Sequence, residues 1–394
     1  MTSIRTGLAA AGVGVAVAAL ASVAGAQTSA DAIHRRVLTL DSHVDLPAAT
    51  GADQASLSKL RAGGVDAVVL AVFAPTARTA DERRAARAEA EAKLAAIQAI
   101  ARENPQDVEI ARGAPEVRRI VGAGKVAIII GFLNADWLDG SVSGFDRLQA
   151  QGVRVAGLAH AGNNAFADSS RPREGEGARF GGLSDAGKAA VRRLNDLGVL
   201  VDVSQLTPAG VFQTLEISRA PVVASHSSVR ALADHPRNLS DAEIDAIAAK
   251  GGVNQVTPFN AYLFHVPPDY DARRLALRTE YGLGSGQGYS GSEGLSPDRR
   301  ETFLAAYRAL YPRATVKQYV DHIDYIAKRV GVRHVGVGSD FNLGAGVVGF
   351  ADEGDAAAIT RELVARGYAE SDIAEIWGGN FLRVLALAEA EKAR

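Results

Sequence analysis

The sequence predicts an α/β fold, a (β/α)8 barrel of the TIM type behind an N-terminal signal segment. Three observations predict it. Eight short runs dense in Val, Ile and Leu recur along the chain without polar alternation, as strands buried on both faces require. Helical patterns with recognisable caps lie between most of them. Histidine, aspartate and glutamine collect where the runs end, at the rim where parallel barrels place their chemistry. The alternative, a doubly wound open sheet, is disfavoured because no GxGxxG follows the first run.

Taken in order, the chain opens with Arg5 and then GLAAAGVGVAVAALASVAGA, which ends in Ala24-Gly25-Ala26 before Gln27. Small residues at −3 and −1 of that junction mark a secretory signal peptide, residues 1–26, and an exported, periplasmic or secreted protein. The alternative is an uncleaved anchor, the one case in which a membrane is a partner. It fits less well, because the run is built from small, weakly apolar residues. Residues 27–394 then form a single barrel domain. Its candidate strands are Val37–Asp41, Val65–Phe73, Val126–Phe132, Val153–His160, Val199–Ser204, Pro221–Ser225, Gly252–Val256 and His334–Ser339.

Between them, Thr79–Glu103 is long, charged and Ala-rich, and Ser184–Leu197 begins on a Ser cap. Thr207-Pro208 is an N-cap and first-turn pair for a helix to about Arg219. Ser240 and Glu243 form a capping box, and Val316–Val330 has apolar residues at helical spacing. Residues 257–333 depart from the repeat. They include YGLGSGQGYSGSEGLSP (281–297), expected to be a loop near the barrel mouth or a tolerated insertion.

Composition narrows the chemistry. A net charge of −2 over 394 residues leaves no basic footprint, so nucleic acid is not an expected partner. The absence of cysteine excludes disulfides, thiolate metal sites and a Cys nucleophile. Any metal must therefore be held by His, Asp or Glu. The first strand ends in His43 and Asp45, the fourth in His160, the fifth in Gln205, the sixth in His226 and the eighth in Asp340. Singly, each is an ordinary strand-end residue. Together they bring three of eight histidines and two aspartates to one rim. His43 and Asp45, at i and i+2, point the same way from an extended chain. Their nitrogen and oxygen donors suit Zn²⁺ or a similar ion, and such an ion supports hydrolysis.

Several motifs resemble those of the membrane (renal) dipeptidase family, of the amidohydrolase superfamily. DSHVDLP is similar to the family's D-G-H-x-D-L-P, and GLAHAGNNAFADS to its T-H-x-x-x-N-x-x-A-D. APVVASHSSVRAL with Pro236-Arg237-Asn238 resembles its A-P-V-I-x-S-H-S segment and trailing R-N. VDHIDYIAKRVGVRHVGVGSDF and GGNFLRVL resemble its last strand and C-terminal segment, so the likeness runs from about residue 33 to 390.

The resemblance implies hydrolysis of dipeptides at a binuclear zinc centre. His43 and Asp45 would bind the first metal, with Asp340 as ligand or proton carrier, and His226 would bind the second. His160 would stabilise the oxyanion, and Arg237 would clamp the substrate carboxylate. The family is often dimeric, so a homodimer is an expected assembly.

Two positions depart from the pattern. Leu133 stands where the family has a bridging Glu, and Gln205 where it has a His ligand. The expectation is one tight metal at His43, Asp45 and Asp340, a second that is weak or absent, and a dipeptide or related small molecule as substrate. The alternatives are a non-catalytic relative that binds a small peptide or amino-acid derivative, and a hydrolase of another amide or a lactone.

Overall fold

A computed structural model of the chain describes residues 29–47, 53–265, 267–284, 292, 295–310 and 313–392. The expected signal segment, residues 1–26, and most of the Gly/Ser-rich stretch lie outside the described residues.

β-Branched runs with no polar face have to pair on both edges and be covered on both faces. The strands they form are β1 (Leu40–Asp45), β2 (Ala67–Phe73), β3 (Val108–Ala111), β4 (Val126–Leu133), β5 (Val153–Gly157), β6 (Leu200–Asp202), β7 (Val223–Ala224), β8 (Val253–Val256) and β9 (Val335–Val337). All pair in parallel, in the order β1-β2-β4-β5-β6-β7-β8-β9, with β3 beside β4. β3 takes the first half of β4 and β5 the second. The ring is joined past β9 by irregular backbone: Asp340 N donates to His43 O at 2.8 Å and Asp45 N to Phe341 O at 3.2 Å. The eight strands on this path make a nearly closed barrel.

All eight predicted strands are present, with two differences. β3 was not predicted; it is only four residues long and carries Glu109. The first strand starts at Leu40 rather than Val37. Thr39 N and Oγ1 are committed to Asp66 and to the Gly64 carbonyl, so the ladder begins only after them. It then runs through Asp45, which puts His43 and Asp45 inside the strand.

The helices follow their caps. Thr79, Ser184 and Thr207 each accept a backbone N–H at the start of Ala80–Glu103, Asp185–Asp196 and Pro208–Ile217. Capping boxes open Asp241–Ala249 and Val316–Val330. Residues 257–333 hold the helices Asn260–Leu263, Tyr270–Glu280 and Pro297–Arg308 before Val316–Val330. No helix among the described residues is long and apolar enough to cross a membrane.

Strand side chains alternate between two apolar clusters. Val68, Leu70 and Val72 pack in one with helix residues such as Leu94 and Ile97. Leu40, Ala67, Val69, Leu200, Val223 and Val253 pack in the other with Phe381 and Leu385. Those two belong to the helix Asn380–Ala390, which meets β6, β8 and β9 and floors the barrel. Burying each of these large side chains contributes ~1.5–3 kcal/mol. With the floor filled, the opposite, C-terminal end is left for polar groups.

Candidate metal centre

β1 is irregular where it matters. Leu40 and Asp41 pair with Ala67 and Val68, but Val44 and Asp45 pair with Leu70 and Ala71. One extra residue therefore sits between Asp41 and Val44, a bulge of the kind that re-aims side chains. Leu40 faces the barrel floor and Val44 the helix side, so His43 and Asp45 both turn toward the barrel mouth. Asp41 locks the bulge. Its Oδ1 accepts from His43 N at 3.0 Å and from Ser339 N at 2.8 Å, which ties the first strand to the residue before Asp340. Its Oδ2 and both Glu353 carboxyl oxygens are buried, with no donor among the described residues other than a proton shared between these two carboxyl groups. Burial, then the Asp41 carboxylate, pushes Glu353 well above the usual carboxylate range, so Glu353 keeps a proton for the pair.

Asp340 follows β9 with φ of 56°, a left-handed conformation that costs an aspartate energy and that tends to persist at functional sites. Gly338 permits the approach. A Cβ there would lie 2.2 Å from Ser225 O and 2.7 Å from Ser42 Oγ.

The result is a cluster of acceptors. His43 Nε2 lies 3.6 Å from Asp45 Oδ2 and 4.0 Å from Asp340 Oδ1. His43 Nε2 and both Asp45 carboxylate oxygens have no hydrogen-bond partner among the described residues. Ligands held at ~2.1 Å on a tetrahedral ion lie ~3.4 Å apart. The spacing and the orphaned donor atoms therefore fit one divalent cation. Without one, burial pulls the His43 pKa down, but Asp45, helped by Asp340 and Asp202, outweighs it and raises it to about 9. Burial raises Asp340 to about 6, with Asp45 adding to the rise and His43 opposing it.

The other side of the rim is satisfied internally. The His226 ring stacks on His43, centroids 3.9 Å apart. His226 Nδ1 lies 2.7 Å from Ser225 Oγ, which donates to Asp202 Oδ2 at 2.5 Å. His226 Nε2 lies 2.9 Å from Gln205 Nε2. Gln205 Oε1 accepts from Arg171 Nη2 at 3.5 Å, and the same Nη2 lies 3.2 Å from His160 Nε2. His43, Asp202 and His226 also come close enough together to suggest a metal group. However, the Ser225 hydroxyl stands between them, 3.4 Å from His43 Nδ1, and Asp202 Oδ1 already accepts from Ser204 and from Ser225 N. Burial first, then neighbouring positive charge, holds His160 and His226 well below 6.5, so both rings are neutral.

Of the residues predicted from sequence, the structure therefore brings His43, Asp45 and Asp340 together, with His226 stacked behind them. His160 lies across from His226 and is reached through Arg171. Arg237 is buried: Nη1 bonds the Ser204 carbonyl, Nη2 the His226 carbonyl at 2.8 Å, and its guanidinium lies over Tyr262. Its Nε–H has no partner among the described residues. Leu133, buried at the end of β4, pairs with Gly157 and offers no ligand atom. A cavity of ≈ 420 Å³ opens beside this rim, lined by residues including Ser170, Thr207, Arg230 and Asp234. Sequence reasoning missed Arg171, Asp41, Glu353 and the Asp202–Ser225 pair. Asp202 was readable as a charge inside the otherwise apolar fifth predicted strand.

Fold and site together define a parallel barrel with a metal-competent rim. The family follows from comparison: residues 27–394 match the profile of the membrane dipeptidases, peptidase family M19, and the chain belongs to that family. Dipeptidase aclJ of Aspergillus oryzae is 31% identical over 267 residues, 68% of this chain and 52% of that protein. Dipeptidase verJ of Clonostachys rogersoniana is 30% identical over 284 residues, 71% of this chain and 60% of that one. The chain thus spans little more than half the length of these relatives.

Among solved structures, the probable dipeptidase PvdM from Pseudomonas aeruginosa superposes with a TM-score of 0.82 at 37% identity, covering 93% of this chain and 99% of that one. A metallopeptidase from Rhodobacter sphaeroides, liganded with a phosphinate mimic of L-Ala-D-Ala, shares the fold with a TM-score of 0.70 at 20% identity, covering 89% and 99%.

Proposed function

We propose that the protein is an exported metallo-dipeptidase that works with one tight divalent ion, zinc, on His43, Asp45 and Asp340. The observation that carries this reading is the set of buried, partnerless donor atoms on His43 and Asp45 facing Asp340. Buried polar atoms of this kind are costly unless something satisfies them, and a cation does. Family membership supports peptide-bond hydrolysis as the reaction.

A bound ion supplies a water of lowered pKa and polarises the scissile carbonyl. The chain's own residues do the rest. Asp340 takes the proton of the attacking water and returns it to the leaving amine. His160 accepts from Arg171 at Nε2, which places its own proton on Nδ1 as donor to the developing oxyanion. Arg237 offers its remaining Nε–H to the substrate carboxylate.

The decisive experiment is elemental analysis of the purified protein combined with a broad dipeptide panel. The reading predicts about one zinc per chain and release of free amino acids, abolished by chelation. Binding without turnover across the panel, with zinc added, would favour the non-catalytic alternative. Turnover of lactones or N-acyl amino acids alone would favour the other hydrolase reading. Export predicts a mature N-terminus at Gln27, read by N-terminal sequencing. A homodimer predicts twice the chain mass in sedimentation.

A further inference from the structure

In a two-metal version of this rim, a second ion would need ligands on β4, on the segment after β6 and on the segment after β7. Here Leu133 has no ligand atom, and Gln205 and His226 are spent on one another and on Arg171. The donor directions close consistently. An arginine only donates, so Gln205 Oε1 is the acceptor and its amide NH₂ faces His226 Nε2. That makes His226 Nε2 an acceptor, puts its proton on Nδ1 toward Ser225 Oγ, and directs the Ser225 hydroxyl to Asp202. Both His226 nitrogens are then committed and the Gln205 oxygen already faces a cation, so with Leu133 offering no ligand atom the residues present do not fit a second ion.

A cation nevertheless stands there. Arg171 leaves the loop after β5, and the backbone at and just before it is pinned by three hydrogen bonds. Gly162 N donates to Arg171 O at 2.8 Å, Arg171 N to Ser169 Oγ at 3.0 Å, and Ser170 N to Gln205 O at 2.9 Å. The loop itself is folded around Asp168, whose carboxylate accepts from the backbone N–H groups of Arg179, Phe180 and Gly182. The backbone that carries the guanidinium is thereby part of the scaffold.

We infer that the Arg171 guanidinium takes the place of the second metal ion, closing the vacated ligand set through Gln205, holding His160 beside it, and supplying a fixed positive charge beside a single-metal centre. This rests on the one-metal hydrolase reading above. Leu133 and Gln205, which stand where the resemblance places a bridging Glu and a His ligand, then sit beside a cation that the chain itself supplies. This side of the rim therefore consists of an apolar wall at Leu133 and a built-in cation at Arg171. A divalent ion arriving at this side would meet like charge and no free donor.

The test is metal stoichiometry read alongside kinetics. Wild-type protein titrated with excess Zn²⁺ should saturate at one equivalent. Arg171→Met should still bind one equivalent, with kcat lowered about 10- to 100-fold and KM changed much less, as for loss of a preorganised charge. Arg171→Lys should restore part of the loss. Leu133→Glu with Gln205→His and Arg171→Ala should take up a second equivalent, and loaded with Mn²⁺ it should give the paramagnetic resonance spectrum of a coupled pair. If that triple variant does not fold, the double variant Gln205→His/Arg171→Ala, which keeps the apolar wall, should show the second uptake at lower affinity.

Two equivalents in the wild type would overturn the inference while leaving hydrolysis standing. So would an unchanged kcat in Arg171→Met, or a single equivalent in the refitted variants. No zinc uptake at all would overturn both the inference and the reading beneath it.

Discussion

The two sides of this rim are built from the same kinds of residue and reach opposite outcomes. On one side, His43, Asp45 and Asp340 crowd donor atoms together and leave them unanswered. On the other, His226, Gln205, Arg171, Ser225 and Asp202 answer each other in an unbroken run of hydrogen bonds. Histidine count does not separate the two sides. What separates them is whether each polar atom already has a partner, because an unsatisfied buried group is expensive and a satisfied one is inert toward ligands.

The largest effect that would break this contrast comes from the open side. His43→Ala or Asp45→Asn should strip the protein of zinc and lower kcat/KM by ~10⁴-fold, about 5 kcal/mol. Gln205→Ala, on the closed side, should leave zinc content unchanged by elemental analysis. Next comes the pin beneath the open side. Asp41→Ala orphans the N–H groups of His43 and Ser339 and strands Glu353. It should cost ~4 kcal/mol in denaturant unfolding.

Third is a buried histidine that belongs to neither side. His322 accepts from Val229 N at 2.9 Å, and burial holds its pKa at about 4 against 6.5 when unfolded. The unfolded chain therefore takes a proton below pH 6.5 that the folded protein refuses until about pH 4. Stability is complete above 6.5 and falls by ~3 kcal/mol as the pH drops through that window. His322→Gln should flatten this slope in urea titrations run from pH 7 to pH 4. The smallest effect is Ser225→Ala, which removes one link of the closed side. It should cost ~1 kcal/mol and leave zinc content alone.

Much of this was legible in the sequence, for physical reasons. Runs such as AVVLAVF can only be doubly covered strands, and strand ends in a parallel barrel share one rim, so His43, Asp45, His226 and Asp340 could be grouped without a structure. β3 escaped because four residues including a glutamate carry no clear period. Arg171 escaped because loop position is set by turn hydrogen bonds such as Ser170 N to Gln205 O, which leave no periodic trace. A signal did exist: a site that loses Glu and His ligands needs its positive charge from somewhere, and the loop after the fourth predicted strand is rich in arginine. The Asp41–Glu353 pair joins residues some three hundred positions apart, beyond any local pattern.

The helix Asn380–Ala390 has a consequence for biosynthesis. It seals the underside of strands made far earlier, among them Leu40, Leu200 and Val223. Because the chain is made in residue order, that greasy underside stays uncovered until translation has passed residue 380. Chaperones that grip nascent chains thus have nearly the whole of synthesis in which to act.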